Sequence, residues 1–124
     1  MKIKIITIGK PEFRLFKDSV EYYRNRINKY AQLEIIHLPQ PKGLKDVRVL
    51  KEKECVLFLN RVSDSDFIVL LDERGREFTS VEYAALISNW QIRNLKTVTF
   101  LFGGAYGFDE LLYKRANEKI ALSR

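Results

Sequence analysis

The run Phe67-Ile68-Val69-Leu70-Leu71 has no polar residue and no alternation, and it constrains the fold more than any other segment. Successive side chains of a strand point to opposite faces, so a strand that is apolar throughout must be covered on both. Thr97-Val98-Thr99-Phe100-Leu101-Phe102 makes nearly the same demand. Such strands belong to mainly parallel sheets flanked by helices, with the helices supplied by the intervening segments. The fold class expected is therefore α/β.

The remaining chain fits that scheme. Lys2 to Ile8 begins by alternating lysine with isoleucine and then becomes continuously apolar, as a strand entering a core does. After the break at Gly9-Lys10-Pro11, the residues Phe13, Phe16, Val20, Tyr23, Ile27 and Tyr30 recur at spacings of 3 and 4, which predicts a long amphipathic helix. Leu33 to Leu38 reads as a second strand, closed by Pro39-Gln40-Pro41-Lys42-Gly43 and a basic loop through Lys45 and Arg48. A helix is expected over Val49 to Asn60. The strand at Phe67–Leu71 should end in a charged turn, Asp72 to Glu77. Thr79 and Glu82 then fit a capping box, with Phe78 and Tyr83 as its hydrophobic staple, opening a helix to about Gln91. Asp109 should cap a short helix through Ala116, and Lys119 to Ser123 should form a last short strand.

A chain of 124 residues is one domain and can bury roughly two-thirds of its unfolded surface. No apolar run approaches the roughly 20 residues that span a bilayer, so no membrane partner is expected. Cys55 is the only cysteine, which excludes an internal disulfide and suits a reducing cytoplasm. The net charge of +6 favours a polyanionic partner, because each cation that neutralises a phosphate releases condensed counterion.

In parallel sheets, ligands bind in the crevice outside the carboxyl ends of the strands. Three segments are expected there: Leu71-Asp72, Gly103-Gly104 and Leu122-Ser123-Arg124. A glycine pair after a buried strand lets a ligand reach main-chain N–H and C=O groups. Glycines at 103, 104 and 107 match neither the dinucleotide fingerprint nor the phosphate-binding P-loop. The single cysteine and single histidine form neither a zinc cluster nor a nucleophilic pair, and His37 is read as structural. Adjacent Asp72 and Glu73 point to opposite sides of an extended chain, which does not suggest a carboxylate dyad. Such a chain suits a reaction that depends mostly on positioning, with no metal.

At this point the residues resemble a known family. Met1-Lys2-Ile3-Lys4, Ile8-Gly9-Lys10, Val69 to Gly75, Phe78 to Glu82, Phe102-Gly103-Gly104-Ala105-Tyr106-Gly107 and Ala121-Leu122-Ser123 are similar, in order and end to end, to the RlmH family of the SPOUT superfamily. The resemblance implies a methyltransferase that modifies N3 of a pseudouridine in bacterial 23S ribosomal RNA. It implies S-adenosylmethionine as methyl donor and large-subunit RNA or the assembled ribosome as partner. It also implies a homodimer and a cofactor held by a trefoil knot. The cofactor-contacting positions would be Leu71, Gly103, Gly104, Leu122, Ser123 and Arg124; no general base for the N3 proton is identified. Family members continue past the position of Arg124 with a segment that threads the knot. The resemblance therefore implies a SPOUT domain over 1–124 that is truncated at its C-terminus, with its knot element incomplete. A second reading is a non-catalytic basic RNA-binding module, or an inactive fragment of such an enzyme. It rests on the loop Lys42–Arg48 with Arg74, Arg76, Lys114 and Arg115.

Overall fold

The computed structural model describes residues 1–8, 32–103 and 106–121. Five strands are found among them: β1 (Lys2–Ile8), β2 (Gln32–Leu38), β3 (Phe67–Glu77), β4 (Thr97–Phe102) and β5 (Glu118–Ala121). Three helices join them: α1 (Val47–Leu59), α2 (Ser80–Ile92) and α3 (Glu110–Arg115). The amphipathic helix expected from Phe13 to Tyr30 lies outside the described residues, as do Gly104, Leu122, Ser123 and Arg124.

The strands form one sheet in the order β2-β1-β4-β3-β5, and every adjacent pair is parallel. The α/β class expected from the apolar runs is the class observed. Parallel neighbours need crossovers, and these are right-handed because twisted strands pack back onto a sheet only that way. The step from β3 to β4 runs one way along this order. The steps from β2 to β3 and from β4 to β5 run the other. Right-handed connections therefore put α2 on one face, and α1 with α3 on the opposite face.

Packing follows this division. On one face, Trp90 of α2 is buried with Phe67, Val69, Val98 and Ile120. On the other, Cys55 and Phe58 of α1 and Leu112 of α3 bury against Ile6, Ile68, Leu70 and Leu101. Consecutive residues of β3 thus serve opposite cores, and Ile68, Val69 and Leu70 are each 0% exposed. That is why the strand carries no polar residue. Each such side chain contributes about 1.5–3 kcal/mol of burial. Cys55 is a packing residue, and burial, followed by the nearby Asp109 charge, pushes its thiol above the usual range.

Local chemistry sets most boundaries as expected. Thr79 caps α2 through a complete capping box with Glu82, and Asp109 caps α3 by accepting from the Leu111 amide. Glu110 in the first turn of α3 and Lys114 with Arg115 in the last complement its dipole. Two boundaries differ. Helix α1 starts at Val47, where Asp46 accepts from the Arg48 amide as the N-cap. Strand β3 does not end in a turn after Leu71 but continues to Glu77.

The continuation of β3 has an unusual register. Leu71 pairs with Ile120 of β5, and Arg76 pairs with Ile120 again, so residues 72–75 leave the ladder between them. Gly75 permits the return. A Cβ there would lie 2.5 Å from the Ile120 amide nitrogen, and no side chain can be accommodated against that backbone. A hydrophilic segment that reads as a turn by composition is thereby kept in the sheet by pairing with a distant strand.

Candidate functional site at the carboxyl ends of β3 and β4

The sheet order places β4, β3 and β5 side by side, so the strands carrying the three expected ligand segments are direct neighbours. Leu71 lies opposite Phe102 of β4 and opposite Ile120 of β5. Gly103 leaves β4 one residue later, and β5 ends at Ala121, one residue before Leu122. Leu71 and Gly103 are therefore brought together at the carboxyl edge. Gly104, Leu122, Ser123 and Arg124 are outside the described residues.

The turn after β4 is anchored from below. A Cβ at Gly103 would come within 3.1 Å of the Phe108 ring, which is itself buried and packed at 5.9 Å against Phe58 of α1. Gly107 has φ +80°, a backbone shape that side chains rarely adopt. The Tyr113 ring meets Phe108 edge-on at 6.0 Å between centroids. Its hydroxyl donates to Asp72, the first residue of the excursion from β3. One tyrosine on α3 thus touches both the loop after Leu71 and the turn after Gly103.

On the far side of the excursion, Arg76 donates to Glu82 at 3.1 Å and lies over the Phe78 ring. The Glu82 carboxylate also accepts from the Thr79 amide. The Thr79 bonds, followed by Arg76, hold its pKa below the ordinary glutamate value. The return of β3 is therefore tied to the start of α2. A shallow cavity of ≈ 300 Å³ opens beside it, lined by Gly75, Arg76, Tyr113 and the start of β5.

A separate polar node lies at the opposite, amino-terminal edge. Asp66 accepts from the Ser63 amide and hydroxyl and from Thr99 of β4, and Lys4 of β1 stands 3.6 Å away. Burial works to raise its pKa, but the Ser63 hydroxyl and amide, Lys4 and Thr99 outweigh it, and the carboxyl lies below its usual range. Arg115 donates to the carbonyl oxygens of Ser63, Asp64 and Asp66. This corrects its expected place on a basic RNA surface, because the guanidinium is spent fastening α3 to the entry of β3. Arg48 is paired with Glu52, and Arg76 with Glu82. His37 is a partner of Thr7 across β1 and β2, in keeping with a structural role.

The sequence pattern did not single out Gly75 or Tyr113. Their roles depend on contacts across long separations: Asp72 and Tyr113 are 41 residues apart. A glycine inside a charged segment was the one visible sign of a close backbone approach.

With this geometry established, comparison with known proteins decides the family. The family model described as "Predicted SPOUT methyltransferase" matches residues 1–124. The chain belongs to the SPOUT methyltransferase family. Among its relatives, this family member is 42% identical over 125 residues to the ribosomal RNA large subunit methyltransferase H of Cytophaga hutchinsonii. It is 39% identical over 126 residues to the protein of the same name from Parabacteroides distasonis. It is 34% identical over 129 residues to that of Clostridium botulinum. All of this chain is covered in each case, against 81%, 80% and 81% of the respective relatives. The expected SPOUT membership and methyltransferase activity class therefore hold. Among the described residues, no helix is long and apolar enough to cross a membrane.

Proposed function

We propose that this SPOUT methyltransferase uses S-adenosylmethionine to methylate N3 of a pseudouridine in bacterial 23S ribosomal RNA, working as a cytoplasmic homodimer on the large-subunit RNA or assembled ribosome. The observation that carries the proposal is the meeting of Leu71 and Gly103 at the carboxyl edge of a parallel sheet, in a chain matched throughout by large-subunit methyltransferases.

The residues present fit such a cofactor. Gly103 offers main chain with no side chain, above a Phe108 ring that fills the space beneath it. Leu71 is a half-buried apolar residue beside it, and Asp72 places a carboxylate next in line. Leu71, Gly103 and Gly104 would hold the group, together with Leu122, Ser123 and Arg124. When bound, S-adenosylmethionine supplies a methyl on a positively charged sulfur. The chain's own part is to bind, orient and exclude water. Holding two reactants in line removes an entropic barrier that amounts to about 7–11 kcal/mol in well-oriented systems. The net charge of +6 supplies the attraction to RNA phosphate.

The test is transfer of an isotopically labelled methyl group to ribosomes or 23S RNA lacking the modification. The expected result is label at N3 of one pseudouridine. Binding of S-adenosylmethionine without label in RNA would contradict the proposed substrate, and absence of binding would contradict the proposed cofactor.

A further inference from the structure

We propose that Tyr113 is a positioning residue for the cofactor site, its hydroxyl setting the separation between the bulge that follows Leu71 in β3 and the turn after β4. This rests on the function proposed above, because the two segments it joins are those carrying Leu71 and Gly103.

Residues 72–75 form a bulge within β3, lying between the Leu71 and Arg76 pairings to the same residue of β5. Leu71 at one end and Gly75 at the other are held by backbone pairing and close approach to β5. Between them, the Asp72 carboxylate accepts from Tyr113. The turn after β4 meets Tyr113 as well. A Cβ on Gly107 would lie 3.3 Å from the tyrosine oxygen, and the ring stands edge-on to the Phe108 that underlies Gly103. Tyr113 projects from α3, whose far end is fixed by Arg115 to three carbonyls and by Asn117 to the Ile68 amide and carbonyl. The hydroxyl is therefore carried by a braced helix, and the two loops converge on it. A side chain needed only for packing would bury its ring without aiming its oxygen at a carboxylate across the sheet's edge.

The experiment compares wild type, Tyr113→Phe and Asp72→Asn. Tyr113→Phe keeps the ring and removes the oxygen; Asp72→Asn keeps an acceptor for the tyrosine and acts as the conservative control. Amide hydrogen exchange, read residue by residue without cofactor, reports the coupling directly. Tyr113→Phe should raise exchange at Asp72 and Arg76 and also at Gly103 and Phe108. Ser63 and Thr99 should stay unchanged, which shows that the fold is intact. Titration with S-adenosylmethionine should show a Kd about fivefold weaker in Tyr113→Phe, the loss expected for one hydrogen bond. Asp72→Asn should lose less. Exchange that rises in only one segment, or in neither, overturns the proposal, as does an unchanged Kd. If wild type binds no cofactor while exchange still rises in both segments, the functional reading falls and the coupling stands.

Discussion

Two aspartates bracket the buried part of β3, and the ends they mark are built differently. Asp66, before the strand, is buried and saturated by donors from Ser63, Thr99 and nearby Lys4, with Arg115 closing the carbonyls around it. Asp72, just after Leu71, receives a tyrosine hydroxyl at the start of the bulge in β3. The first end joins strands β1, β3 and β4 to helix α3 through side-chain and carbonyl hydrogen bonds. The second joins two loops and leaves main chain accessible at Gly103. Buried polar groups must be satisfied in either place. At the amino edge that need ties strands to α3, and at the carboxyl edge it ties together the segments of the candidate site.

The contrast can be broken first at Gly75. Gly75→Ala puts a carbon against the backbone of Ile120, which cannot yield as a side chain would. Urea unfolding should show a loss of about 3 kcal/mol. Stability within error of wild type would mean that the return of β3 is not held against β5.

Next is Asp66→Ala, which strands the buried Thr99 hydroxyl and the Ser63 amide. The expected loss is about 2–3 kcal/mol at neutral pH. The pH dependence has a definite sign. The folded pKa of Asp66 is depressed, so its contribution is complete above the unfolded value of about 3.9 and is lost as pH falls toward the folded value. Wild type should therefore lose its advantage over the variant in acid below about pH 4, as followed by urea melts across that range. An advantage that grows on acidification would contradict this assignment.

A smaller pair of effects separates fold from RNA contact on α3. Arg115→Ala should cost about 1–2 kcal/mol of stability and leave the salt dependence of RNA binding unchanged. Lys114→Ala, on the exposed side of the same helix, should leave stability within about 0.5 kcal/mol. If Lys114 touches phosphate, the variant lowers the salt slope by about one. Filter binding over a salt series checks both, and a change of slope in Arg115→Ala alone would restore that residue to the RNA surface. A modest stability effect, under about 1 kcal/mol in thermal unfolding, is expected for Tyr113→Phe.

Much of this fold is legible in the sequence because both faces of the sheet are covered. Phe67 to Leu71 could be neither an edge strand nor a half-exposed one, and β3 is flanked by neighbours and by both cores. Local capping chemistry was equally readable, since Thr79 with Glu82 and Asp109 with the Leu111 amide act within a few residues. The order of the strands was not readable, and neither was the extension of β3 through Asp72 to Glu77. That extension depends on β5, which arrives more than forty residues later, and on the one residue that lets two backbones touch. Arg115 was misjudged for the same reason: a cation is visible in sequence, but the carbonyls that occupy it are not. At the candidate site, Leu71 and Gly103 were legible as strand ends, whereas the Tyr113 link between them exists only in three dimensions.

In the proposed function, the carboxyl edge of β3 and β4 takes the cofactor and the amino edge does not. Backbone amide NMR during titration with S-adenosylmethionine tests it most directly. The expected result is saturable shifts at Leu71, Asp72 and Gly103, with Ser63, Asp66 and Thr99 unmoved. Shifts centred on the Asp66 node, or saturable binding that leaves Leu71 and Gly103 unmoved, would contradict it.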